Sequence, residues 1–237
     1  MESTQESRLS GLALSIGAFM VAVGSFFLPR GTGSRTDYVP LIEIRAENAG
    51  LTHTTSMLTA FGVLLWVAGL VTLWRTAAKS HSTSDALVGS GIAILLISAV
   101  LYLALTGLQH MIVHFLNHGI GAGAGADQVE GVTTMAVTLQ GARAGLFMVK
   151  ELCEMIGFLL LGLAVWRRAP FGVPKTAAVI VVFASCAELV ALQVIEHAHD
   201  LTDAMLPVLT VGGAITLIWQ VWIGVGLWRG SHRMIAG

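Results

Sequence analysis

Charge is scarce in this chain. Of 237 residues, 13 are Lys or Arg and 14 are Asp or Glu, together 11%, where an ordinary soluble domain carries roughly 25%. Set beside 55% hydrophobic residues, that shortage excludes a water-soluble fold as the expectation. The two signs nearly cancel to a net charge of −1, so nothing in the overall balance points to nucleic acid and none is expected as a partner. Cysteine is scarcer still. Cys153 and Cys186 stand alone inside apolar runs without CxxC spacing, which removes a disulfide framework and predicts two small buried side chains.

Other signals are missing too. Polar and apolar residues do not alternate with the period of two that strands require, so neither a soluble sheet nor a membrane barrel is expected. The first apolar run ends in Phe26-Phe27-Leu28-Pro29-Arg30 without a small-residue cleavage site, and Glu2 and Glu6 face Arg8 alone before it, so the first helix is expected to be retained. Gly119 to Asp127 is glycine-rich but follows no strand and lacks a Gly-Lys-Ser/Thr ending; it is read as a flexible connector, not a phosphate loop. No convincing internal repeat is found.

What the chain does have is apolar length. A bilayer core about 30 Å thick takes roughly 20 residues of helix. Windows of that size recur six times, at about 9–28, 54–74, 86–116, 136–166, 176–196 and 206–228. Residues 1–237 are therefore predicted to form one all-α, integral membrane bundle of six transmembrane helices, with the lipid bilayer as its first partner. Arg8, Arg75, Lys79, Arg167, Arg168, Lys175, Arg229 and Arg233 fall on one side of that pattern and only Arg30, Arg35 and Arg45 on the other. Eight against three predicts both termini in the cytoplasm and a multi-pass protein of the cell membrane. The long loop 29–53 has room for a short amphipathic or irregular segment on the outer face. Trp66, Trp74, Trp166, Trp219, Trp222 and Trp228 fall mostly near inner helix ends, where aromatic anchors are expected.

Ionisable groups inside spans are costly, face the bundle interior and are functional candidates. The fourth window holds four. Arg143, Lys150 and Glu154, spaced by seven and four residues, fall within about 40° of one another at 100° per residue. Glu151 lies to one side, and Gln140 continues the polar side outward. Lys150 and Glu154 can pair at i,i+4, so this set reads as a polar path or as a neutralised ladder pairing helix with helix. Glu188, about twelve residues into the fifth window, then pairs with Lys150 or Arg143, is protonated, or is hydrated.

The histidines collect on one side. With the N-terminus inside, His110, His114 and His118 come at the outer end of the third window, His197 and His199 at that of the fifth, and His53 just before the second. His110 and His114 share a helix face. With His197 or His199 and a carboxylate from Glu188 or Glu196, they could hold zinc, copper or iron. Histidines on separate helices could instead hold a haem iron from both faces, with Arg143 meeting a propionate. Glu196-His-Ala-His-Asp200 is not the HExxH of zinc proteases. The plain alternative is interfacial histidines bonded to loop carbonyls or water.

Three segments carry a family resemblance. Leu41-Ile-Glu-Ile-Arg-Ala-Glu-Asn-Ala-Gly50, Gly157-Phe-Leu-Leu-Leu-Gly-Leu-Ala-Val-Trp-Arg167 followed by Pro170, and Trp219-Gln-Val-Trp-Ile-Gly-Val-Gly-Leu-Trp-Arg-Gly230 resemble a bacterial and archaeal family of polytopic membrane proteins whose domain has no assigned function. The resemblance implies architecture and supplies no activity. Function is therefore expected in this order: a transition-metal or haem protein using the outer histidines; a proton- or ion-coupled solute transporter using the charged fourth and fifth helices; an accessory subunit that binds other membrane proteins or its own copies. A membrane oxygenase or hydrolase using the same His and carboxylate group remains an alternative, but no nucleophile–His–carboxylate order, phosphate loop or dinucleotide fingerprint supports a named reaction.

Overall fold

The computed structural model describes residues 2–29, 38–77, 83–120, 124–168, 174–197 and 201–229. They form seven helices: α1 (Glu2–Phe27), α2 (Val39–Glu47), α3 (Ala49–Ala77), α4 (Thr83–His118), α5 (Ala126–Arg168), α6 (Lys175–His197) and α7 (Thr202–Trp228). No strand occurs among the described residues, so the protein is all-α. Five helices, α1, α3, α4, α6 and α7, are long and apolar enough to cross a membrane, which marks a membrane protein. At 43 residues, or about 65 Å at 1.5 Å per residue, α5 has length to spare, but Arg143, Lys150, Glu151 and Glu154 interrupt its apolar run.

All six apolar windows coincide with long helices to within a residue, and each helix outruns its window at one end or both. The largest extension is α5, which begins at Ala126, about ten residues before its window. Its first turns hold Asp127, Gln128 and Glu130. A polar helical extension carries no hydropathy signal, so a search for apolar length cannot see it. Of the charges that set the expected orientation, Arg30, Arg35, Lys79 and Arg233 lie outside the described residues.

The six long helices close a circle. The main contacts run α1 to α3, α3 to α4, α4 to α5, α5 to α6, α6 to α7, and α7 back to α1. Close approach depends on small residues, as in membrane bundles generally. A Cβ at Gly17 of α1 would sit 2.5 Å from the Trp66 nitrogen and 2.6 Å from the Gly62 carbonyl oxygen of α3. The two backbones touch there, and any side chain would force them apart.

The interior of the circle differs between its ends. Towards the end formed by Thr83, Arg168, Lys175 and Trp228, all six helices contribute to one apolar core. Leu14, Trp66, Leu70, Ile92, Phe158, Val181, Trp219 and Leu227 are among its members. Trp66 and Trp219 are thus core residues and not interfacial anchors, with Trp219 meeting Phe158 edge to face at 6.2 Å, whereas Trp74, Trp166, Trp222 and Trp228 are exposed. Outside the circle, Phe19, Val100, Phe183 and Ile218 are exposed, the apolar periphery that lipid solvates. Cys186 is exposed there too, against the expectation of burial, and Cys153 is half-buried.

At the opposite end lies α2. Pro40 occupies its first turn, where a missing N–H costs nothing. Ile42 is buried against Ile112 of α4 and Ala136 of α5, and α2 packs on α3, α4 and α5. The expected short segment in loop 29–53 is therefore a helix, seated over one side of the circle.

Candidate functional site

Buried polar residues gather in the α2 half, in two levels. The deeper level centres on Lys150, which is 7% exposed. It sits about 27 Å along α5 from Arg168. The Lys150 ammonium donates to Glu151 Oε1 at 2.8 Å and pairs with Glu154 one turn on. It also lies 4.6 Å from the centroid of the Tyr102 ring of α4, close enough for a cation–π attraction. The Tyr102 hydroxyl is 2.5 Å from that of Ser25 on α1. Glu188 of α6 is 6% exposed and within electrostatic reach of Glu154, Glu151 and Lys150. Opposite it, Gly212 of α7 leaves the space that the carboxyl group fills, since a Cβ there would overlap Glu188. Five of the six circle helices thus meet around one ammonium and three carboxyl groups.

The expected Lys150 to Glu154 pair is present. Glu151, read as lying to one side, shares the same ammonium, because the flexible Lys stem reaches both carboxylates. Glu188 makes no ion pair within 4.0 Å among the described residues, so of the three expected alternatives the pairing with Lys150 or Arg143 is the one not formed.

The shallower level joins α2 to α4 and α5. Arg45, 6% exposed, donates from Nη1 to Gln109 Oε1 at 2.5 Å and to Gln140 Oε1 at 3.4 Å, and from Nε to the Pro29 carbonyl at 3.2 Å. Thr52 donates to the Arg45 carbonyl at 3.0 Å. Every acceptor of the Arg45 guanidinium is neutral. Burial, with the Arg143 guanidinium nearby, lowers Arg45 from its ordinary value to about 9. Neither Arg45 nor Arg143 has an ion pair among the described residues, and Nε of Arg143 and Nε2 of Gln109 are buried without a hydrogen-bond partner.

Sequence reasoning placed Arg143 and Gln140 on a polar helix side but counted Arg45 as a loop charge and missed its bonds to Gln109 and Gln140. One legible trace exists in α3, where Thr52, Thr55, Ser56 and Thr59 are all buried. Their i, i+3, i+4, i+7 spacing marks a polar stripe facing the protein.

Four of the histidines come together. Ring centroids are 4.2 Å apart for His53 and His110, 6.5 Å for His110 and His114, and 4.7 Å for His114 and His118. His53 Nδ1 is buried without a partner, whereas His110, His114 and His118 are exposed. His53, left aside in the ligand set expected from the sequence, is the closest neighbour of His110. His197 is exposed at the end of α6 and has no ring contact with this series. His199 and the side chain of Glu196 lie outside the described residues.

Among the described residues, no group of three or more His, Cys, Asp or Glu is arranged to hold a metal ion. Two imidazoles on one tetrahedral metal hold their centroids about 5 Å apart, and two on opposite faces of a haem iron about 6 Å. The His53 and His110 rings, at 4.2 Å, stand closer than either.

Comparison of the chain with family models, with curated protein sequences and with solved structures found no match.

Proposed function

We propose that the protein crosses the cell membrane six times, with α5 as the sixth span and both termini cytoplasmic, and that it works as a proton- or ion-coupled solute transporter. The observation that carries this reading is the layer at Lys150. One ammonium faces Glu151, Glu154 and the buried Glu188 inside a circle of helices. Three carboxyl groups against one ammonium leave two negative charges unbalanced, and a low-dielectric interior does not hold such an excess uncompensated. The layer therefore takes up protons or small cations, which is the chemistry a coupled carrier needs.

The setting supports the same reading. In the proposed orientation the apolar core fills the cytoplasmic half and blocks passage there, while Arg45, Gln109, Gln140 and the α3 hydroxyls make the outer half polar. This corresponds to a carrier loaded from the outside. Transport then requires the apolar half to part, and the glycine-lined contacts between helices permit rigid rocking of one group against another.

The test is a panel of small carboxylates, inorganic phosphate, amines and sugars, added to proteoliposomes that enclose a pH dye. At least one solute class is expected to move protons with the wild type and to lose that effect in Glu154→Gln and Glu188→Gln. A wild-type protein that moves neither protons nor, with a sodium-sensitive dye enclosed instead, sodium ions with any class refutes the coupled-carrier reading.

A second reading rests on the imidazole series. With rearrangement of about 1 Å, His53 and His110 could share a zinc, copper or iron ion, with His114 as a third ligand; haem requires about 2 Å. Elemental analysis and a visible spectrum of purified protein test it. Stoichiometric metal or a Soret band, lost on changing His110 and His114 to Ala, would move the functional centre to the histidines.

A further inference from the structure

The shallower level has a chemical bias that the Lys150 layer lacks. Arg45 and Arg143 bring two guanidiniums into the protein, and neither has an ion pair among the described residues. Gln109 sharpens the point. Its Oε1 accepts from Arg45, an orientation imposed by chemistry, since a guanidinium has no lone pair to offer an amide N–H. The Gln109 Nε2 group is then committed to face elsewhere, and it is buried without a partner in a residue 1% exposed. Arg143 Nε is a second buried, unpartnered donor. Buried donors nearly always have acceptors, so two orphans beside two uncompensated cations mark a place that wants an acceptor carrying negative charge.

We infer that Arg45, Gln109 and Arg143, held together with Gln140 where α2 meets α4 and α5, form a recognition site for a small oxyanion, a carboxylate or a phosphate. Planar guanidiniums suit both groups, because their N–H donors match paired oxygens. Gln109 supplies a neutral donor that discriminates against halide by direction, not by charge. The proposal names the substrate class of the transporter and rests on that reading; the Lys150 layer below would then carry the coupling cation while the arginines hold the anion. The same chemistry could be met by a lipid phosphate, and the test separates the two sources.

The experiment measures thermal stability of the full-length protein in a neutral detergent, titrated with inorganic phosphate and with succinate at constant ionic strength set by chloride. The parallel arm uses nanodiscs of phosphatidylcholine with and without phosphatidylglycerol. A saturable rise in melting temperature with phosphate or succinate, unaffected by phosphatidylglycerol, identifies a soluble anion. A rise with phosphatidylglycerol alone identifies a lipid headgroup, and either supports the oxyanion site.

Arg143→Gln is expected to weaken the apparent affinity about tenfold or more, since a charge-assisted hydrogen bond is lost. Arg143→Lys should retain part of it. Gln109→Leu removes the orphan donor without changing charge and serves if Arg143→Gln fails to fold. No stabilisation by any oxyanion, or affinity unchanged in both Arg143→Gln and Gln109→Leu, overturns the proposal. Anion binding without any solute-driven proton or sodium movement refutes the transport reading alone and leaves the anion site standing. Proton movement driven only by amines or sugars leaves the transport reading standing and refutes the oxyanion as its substrate class.

Discussion

Replacing Lys150 by Met removes the ammonium from between Glu151 and Glu154 while keeping the length of the side chain. The Lys150 side chain is 9% exposed and its partners 21% and 24%, so water compensates little of the loss. Removing one partner of a buried pair costs about 3–5 kcal/mol, because the charge left behind has no counterion. Loss of the attraction to the Tyr102 ring, 4.6 Å away, adds up to about 2 kcal/mol where the cation is desolvated.

A destabilisation near 4 kcal/mol shifts the folding equilibrium roughly a thousandfold. Unfolding in mixed detergent micelles, followed by the fluorescence of the six tryptophans, reads it. The decisive control is the triple variant Lys150→Met, Glu151→Gln, Glu154→Gln. It neutralises both carboxylates that lose the ammonium and leaves only Glu188, which has no ion pair with Lys150 in the wild type; neutral replacement of buried ion networks is often tolerated, so it should recover most of the lost stability. A Lys150→Met variant less than about 1 kcal/mol from wild type, or a triple variant as unstable as the single, would refute the picture of a dry, interdependent charge layer.

Gly212→Val would drive a side chain into Glu188 and should cost about 1–3 kcal/mol by overpacking, read in the same unfolding assay, together with loss of transport. Tyr102→Phe removes the hydroxyl contact with Ser25 and should cost about 1 kcal/mol; with Ser25→Ala added, the double variant should lose little more, and full additivity would show that the contact is not made. Arg45→Met strips the shared donor from Gln109, Gln140 and the Pro29 carbonyl and is expected to loosen α2 by about 2–3 kcal/mol, seen as faster proteolysis before Val39. For the six-span topology, single cysteines at Asp127 and Thr83, in a background with Cys153 and Cys186 changed to Ser, should react with impermeant thiol reagents from outside and inside respectively; reactivity of both from one side would contradict it.

What could be read in advance followed from local physics. Apolar length of about 20 residues is a property of one segment, so every window found its helix. The i,i+4 relation of Lys150 to Glu154 is likewise set by one helix, and the pair formed. Orientation inside the circle is not local. Trp66 and Trp219 sit where anchors were expected by position yet point into the core, because the neighbours of a helix decide which face is buried.

Arg45 shows the limit most clearly. Its partners Gln109 and Gln140 lie 64 and 95 residues away, in helices whose adjacency no periodicity encodes, and α2 itself is only nine residues long. The histidine cluster was half legible: the outer-end bias grouped His53, His110, His114 and His118, but it could not distinguish the α3 and α4 side of the circle from the α6 end that bears His197.

The coupled-carrier account is tested most directly by imposing a pH difference of one unit across proteoliposomes and following radiolabelled succinate. One proton moved per solute down that gradient supplies 1.36 kcal/mol, enough for about tenfold accumulation. The account predicts accumulation that a protonophore collapses and that Glu188→Gln abolishes. Succinate that enters and settles at the same level whatever the pH difference, or accumulation unchanged in Glu188→Gln, would contradict it.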